Sequence, residues 1–284
     1  MNISRNGSHT LSIYISTAIT VALSALFISC GEEKIEWNEQ MVHEALKSAN
    51  PGYNGTAQLQ IMGGEVIALG LEGTEVKDLS PLSKMGIRRL DLKLLEVSDL
   101  SPLKGLALTE LFLEGTEVSD LSPLKGMPIT KLYLNVTSVS DLGPLRGMPL
   151  EILSLFRTKV KDLEPLSGMP LKMLWLNETA VNDISPLAGL PLISLTLHRT
   201  YVIDLSPIAG SGLQRLHIAE TGVTDLTPIA DLKLTRLIFT PGNIVKGLEI
   251  PRSMDTIYEI GTTFEERMPP GAFWKMYGNL LERQ

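Results

Sequence analysis

Apolar residues in this chain return with a period that is neither helical nor simply alternating. In "LTELFLEGTEVSDLSPLKGMP", which begins at Leu108, the inward set is Leu108, Leu111, Leu113, Val118, Leu121, Leu124 and Met127. Around the first leucines, Glu110, Phe112 and Glu114 alternate outward, the pattern of a short strand with one buried face. Further on, Ser122-Pro123-Leu124-Lys125-Gly126 reads as a single helical turn. Serine is expected to cap its start, proline to occupy the first turn where its missing N–H costs nothing, and glycine to permit a left-handed exit.

The phrase then repeats. Strand-like openings stand at "VIALGL" (Val66), "IRRLDL" (Ile87), "LTELFL" (Leu108), "ITKLYL" (Ile129) and "LEILSL" (Leu150). They continue at "LKMLWL" (Leu171), "LISLTL" (Leu192), "LQRLHI" (Leu213) and "LTRLIF" (Leu234), each 21 residues after the last. A fixed period of this length marks a solenoid. No single coil can bury both sides of its apolar ring, so each must stack on its neighbours.

The unit LxxLxLxxTxVxDLSPLxGMP resembles the leucine-rich repeat, in particular its short internalin-like bacterial kind, over about Val66 to Lys246. The resemblance implies an α/β solenoid: a right-handed coil with parallel strands on the concave face and short helical turns on the convex face. One departure is systematic. Thr74, Thr116, Thr137, Thr158, Thr179, Thr200 and Thr221 stand where such repeats place an asparagine that bonds the backbone of the adjacent coil. A threonine hydroxyl can do part of this. Leu95 replaces it in the second unit, so that coil is expected to carry an unsatisfied backbone group or a local shift.

Both ends of such a stack need covering. Residues 38–65 read as an N-terminal cap: "NEQMVHEALKSA" has helical spacing, with Asn38 as its cap, and a hairpin turns at Gly63-Gly64. The repeats occupy 66–246. Residues 247–284 read as a C-terminal cap whose Phe273, Trp274, Tyr277 and Leu281 cover the last coil.

Residues 1–29 have the composition of a targeting segment, with Arg5 ahead of a long apolar run. The run closes on Cys30, the only cysteine. "LFISC" resembles the lipobox of bacterial lipoproteins, which implies a lipidated Cys30, with 30–37 as linker and the membrane reached through the lipid. Phe27 departs from the usual leucine. The alternative is an uncleaved apolar anchor, since the run is about long enough to span a bilayer. Gly31 in place of aspartate favours the outer membrane or cell surface of a bacterial envelope.

A net charge of −7 argues against nucleic acid, which needs a basic face. The aspartates at 78, 99, 120, 141, 162, 183, 204 and 225 suggest either a calcium ladder or carboxylates accepting backbone N–H groups at the turns. The glycine-rich loops of calcium repeats are missing, which favours the turns. No nucleophile elbow, phosphate loop or metal motif appears, so no catalytic residue, cofactor or metal site is predicted. His198 and His217 are placed outward on adjacent strands, as a weak metal pair or as plain surface histidines.

The strand face holds the candidate site. Its middle column reads Gly70, Asp91, Phe112, Tyr133, Ser154, Trp175, Thr196, His217 and Ile238. Phe156 and His198 follow it, and Ile152 and Met173 precede it. At about 4.8 Å per strand, Phe112 to Trp175 spans only about 15 Å. Arg89, Lys93, Glu110, Glu114, Lys131, Arg157, Asn177, Glu178 and Arg199 rim the patch. Aromatics gathered beside mixed charge suit a protein or peptide partner through Phe112, Tyr133, Phe156 and Trp175, with Ile152, Met173, His198 and His217 alongside. Stacking on a glycan, or an envelope-scaffold role, is the second reading. Aromatics also favour strands without any partner.

Overall fold

The structure, a computed structural model, describes residues 35–283. The targeting segment, Cys30 and most of the linker lie outside those residues. The chain enters through α1, Glu39–Ala49, where Asn38 accepts a hydrogen bond from the Met41 N–H at 2.9 Å. Val42 and Leu46, four residues apart, are buried on the helix face that meets the first coil. Asn50 then ties cap to coil. Its side chain donates to the Leu46 and Asp78 carbonyls and accepts from the Lys77 and Asp78 N–H groups.

The strands β1 (Gln58–Met62) and β2 (Glu65–Gly70) form an antiparallel hairpin. Its two-residue turn puts Gly63 at φ 56° and Gly64 at φ 75°, left-handed geometry that side chains resist. From β2 onward each strand pairs with the next in parallel. The order is β3 (Arg89–Asp91), β4 (Glu110–Phe112), β5 (Lys131–Tyr133), β6 (Ile152–Ser154), β7 (Met173–Trp175), β8 (Ser194–Thr196), β9 (Arg215–His217) and β10 (Arg236–Ile238). Leu69 through Leu237 pair in one row, so every middle leucine stacks on its equivalent. All are buried. Full burial of one leucine contributes about 1.5–3 kcal/mol, and the ring repeats in every coil.

Between strands, each coil reverses through a 3₁₀ turn with proline in its first turn, such as Ser122–Leu124. The serine does not cap it. The aspartate two residues earlier does: Asp120 Oδ1 accepts the Ser122 N–H at 2.8 Å, and the other seven aspartates do the same. Serine sits one position too late to reach the exposed N–H groups, because the N–H needing a partner is its own. Gly126 leaves the turn at φ 74°.

The threonines also differ from expectation. Thr116 Oγ1 donates to the Leu113 carbonyl of its own coil at 2.7 Å, and the other six make the equivalent bond. The shorter side chain cannot reach the neighbouring coil, so it closes its own bend. At Leu95 the backbone N–H still donates to the Leu92 carbonyl at 3.3 Å, as the Thr179 N–H does to Leu176. The expected defect is therefore absent: only the extra hydroxyl bond is lost.

One column went unread in the sequence. The residue before each threonine, and before Leu95, is left-handed: Gly73 and Gly115, but also Leu94, Val136, Arg157, Glu178, Arg199 and Glu220, at φ between 55° and 76°. The last four alternate in charge along the stack. Arg157 Nε donates to Glu178 at 2.6 Å, and Arg199 Nε to Glu220 at 2.8 Å. Such exposed pairs are worth under about 1 kcal/mol each.

Beyond β10 the period breaks. The short helix α2, Glu249–Ser253, leads to an eleventh strand, β11 (Glu259–Gly261), parallel to β10. Arg236 pairs with Glu259, 23 positions on rather than 21, so the repeat pattern hid this strand. The closing helix α3, Pro270–Tyr277, presses Phe273 against Phe239 at 5.8 Å between ring centroids. Trp274 and Tyr277 pack on Phe273 at 5.1 and 4.7 Å, and both are cap residues. The side chain of Leu281 lies outside what the structure describes.

Candidate functional site

Parallel, unslipped pairing brings the middle column together in the order Phe112, Tyr133, Ser154, Trp175, Thr196, His217 and Ile238. Adjacent strands are about 4.8 Å apart, so each small residue between two large ones leaves a hollow. Ser154 leaves one beside Tyr133 and Phe156; Thr196 leaves another on the far side of Trp175. Trp175 is the wall between them.

On the first side, Phe112 and Tyr133 stack with centroids 4.8 Å apart and planes 5° from parallel. Phe112 also lies under the Arg89 guanidinium at 5.0 Å, and Phe156 under that of Arg157 at 4.9 Å. All four aromatics, with Ile152 and Met173 in the preceding column, are half-buried, so each keeps an exposed face. The hollow beside them measures about 400 Å³ and is lined by Glu114, Tyr133, Asn135, Ser154, Phe156, Trp175 and Asn177. Asn135 Oδ1 already accepts from the Ser154 hydroxyl and the Phe156 N–H. Glu114 Oε2 and Asn177 Oδ1, by contrast, are buried without a partner. Burial pushes the Glu114 carboxyl up from its usual range. An orphaned buried polar atom costs about 1–3 kcal/mol, which an incoming donor would recover. Lys131 pairs with Glu110 at 2.7 Å on the rim.

The second hollow corrects the sequence reading. His217 is not a surface residue. It is 5% exposed, because Phe264 from the C-terminal cap leans over it at 5.5 Å. Thr196 and Ile238, expected to face solvent, are buried in the same way, and Ser154 is closed in by its larger neighbours. His198 stacks on His217 at 4.9 Å, nearer than a diagonal strand pair implies, and its Nε2 meets Glu220 at 3.1 Å. Among the described residues no group of three or more histidine, cysteine, aspartate or glutamate side chains could hold a metal. Burial drives the His217 pKa down to about 4, with the nearby His198 adding to the effect. Phe264 is itself held by Arg267, whose guanidinium lies 4.8 Å from the ring. The cleft measures about 280 Å³ and is bordered by Trp175, Thr196, Arg215, His217, Arg236 and Phe264, among others.

Phe264 and Arg215 were missed as site residues. Arg215 was readable, being the position before His217 in the facing column. Phe264 was not, because nothing periodic connects it to the repeats. A larger recess of about 800 Å³ lies on the flank beside Asn50, Gly73 and Leu94. None of the unpartnered buried polar atoms belongs to it.

No protein-family model and no curated protein matches the chain. Among solved structures it is similar to internalin C2 from Listeria monocytogenes, at 28% identity and a TM-score of 0.61, over 70% of this chain and 92% of that one. A leucine-rich-repeat protein from Leptospira interrogans aligns at 18% identity and a TM-score of 0.49, over 65% of this chain and 57% of that one. A second internalin from Listeria monocytogenes aligns at 18% and 0.42, over 79% and 94%. With its register, turns and period, the chain folds as a leucine-rich-repeat solenoid of the internalin-like kind.

Proposed function

We propose that this chain is a non-catalytic recognition module, held at a bacterial cell surface by a lipid on Cys30, that binds a protein or peptide across its strand face. Phe112, Tyr133, Phe156 and Trp175 supply the contact, with Ile152 and Met173 at its edge. The observation that carries the reading is the stacked Phe112–Tyr133 pair beside a hollow in which Glu114 and Asn177 hold buried, unpartnered acceptor atoms. Rigid aromatics lose little entropy on binding, and the acceptors would take N–H donors from a partner. Stacked coils commonly offer such extended surfaces to other proteins.

The double variant Phe112→Ala, Tyr133→Ala tests this reading. For a partner captured from envelope extracts by the unaltered full-length chain, its affinity should fall at least about tenfold. Retained affinity would remove the patch from the account. A glycan array on the same two proteins separates sugar stacking: an aromatic-dependent glycan signal with no protein partner would replace this reading.

A further inference from the structure

Thr196 and His217 bring three unpartnered polar atoms together on adjacent strands. Both are more than nine-tenths buried, yet Thr196 Oγ1 and both ring nitrogens of His217 have no hydrogen-bond partner. Both residues line the 280 Å³ cleft under Phe264. Arg215 lines it too, and among the described residues no carboxylate stands within ion-pair distance of its guanidinium. Its neighbour Arg236 differs, since Glu259 takes its Nε at 2.5 Å. Trp175 and Phe264 border the same space with aromatic surface, and Met173 and Ile238 add aliphatic surface.

We propose that this cleft binds the C-terminal residue of a peptide, with Arg215 holding the terminal carboxylate and Trp175 and Phe264 enclosing an apolar side chain. A guanidinium fork matches a carboxylate in two parallel bonds. Thr196 Oγ1 and a His217 ring N–H, both buried and unpartnered, offer further donors. His217 is uncharged near neutral pH, and Glu259 is already shared by Arg236 and Arg267, so among the described residues Arg215 is the lining guanidinium without a carboxylate partner. The volume falls just under that of pockets for drug-sized ligands and suits one residue. Apart from sharing Met173 and Trp175, the cleft is independent of the aromatic patch.

Calorimetric titration of the full-length chain with N-acetylated alanine, leucine and phenylalanine, each against its primary amide, tests the site. At least one carboxylate should outbind its amide by about tenfold or more, and Arg215→Ala should erase that preference. Circular dichroism checks that the variant is folded. In the unaltered chain, the His217 ring resonances should shift as the carboxylate is added. The Phe112→Ala, Tyr133→Ala variant should keep the preference, so loss of partner binding there concerns the patch alone. The assignment falls if no carboxylate outbinds its amide, if Arg215→Ala keeps the preference, or if inorganic phosphate competes equally well.

Discussion

Val136 holds a left-handed backbone at φ 57° with half of its side chain exposed. For a β-branched residue this is a strained conformation, costing about 1–2 kcal/mol. At the equivalent position Gly73 and Gly115 carry no such strain. Val136→Gly should therefore stabilise the chain by about 0.5–1 kcal/mol, since relief of strain exceeds glycine's extra chain entropy. Gly115→Ala should act in the opposite direction, because its backbone at φ 69° is strained for any residue with a Cβ. Urea midpoints at constant m-value read both effects. The two glycines, 42 positions apart and each just before a threonine, were a legible sign of this column. Arg157 and Glu178 at the same register concealed it, because their charges suggest only a solvated edge.

The coil turn depends on its carboxylates. Asp225 is held down to about 2 by the Thr227 hydroxyl first, then by the Thr227 N–H and Lys246. Asp99, Asp120 and Asp204 are lowered by the serine hydroxyl and N–H that follow, and Asp183 by the same groups with the N–H leading. A carboxyl whose folded pKa lies below its unfolded value of 3.8 binds a proton more readily once the chain unfolds. Stability from these turns is complete above about pH 4 and drains away as pH falls towards about 2. The melting temperature should drop steeply across that window, and Asp225→Asn should shallow the drop while lowering the neutral-pH value. A melting temperature that stays flat from pH 4 to pH 2 would contradict the turn assignment. The aspartate role was readable from spacing alone. The misplaced serine cap shows where spacing fails, since which atom faces the first N–H depends on backbone angles at the preceding leucine.

Because every coil touches only its neighbours, damage should stay local. Phe273 is fully buried between α3 and the last coils, and Phe273→Ala removes that cover at a cost of about 3–5 kcal/mol. Native-state hydrogen exchange should show lost protection from β9 through α3, while β3 to β5 keep theirs. Uniform loss along the whole stack would mean that the molecule melts as one unit. Phe264 belongs to the same C-terminal segment, so Phe273→Ala should also expose His217 and bring its pKa back up towards 6.5. Titration of the ring by NMR reads this directly.

An uninterrupted 21-residue period was enough to establish the coil, its strand register and the aromatic column, because identical rungs have one way to stack that buries every leucine. Local chemistry within a rung was likewise written in the repeat. What lay beyond reach was everything produced by segments outside the period. β11 sits two residues out of phase, and Phe264 comes back over β9 from a non-repeating loop to turn an open histidine into the floor of a cleft. Contacts between residues that share no pattern arise only when the chain closes on itself, and here they set Phe264 over Thr196, Arg215 and His217, which the repeat register had already made neighbours.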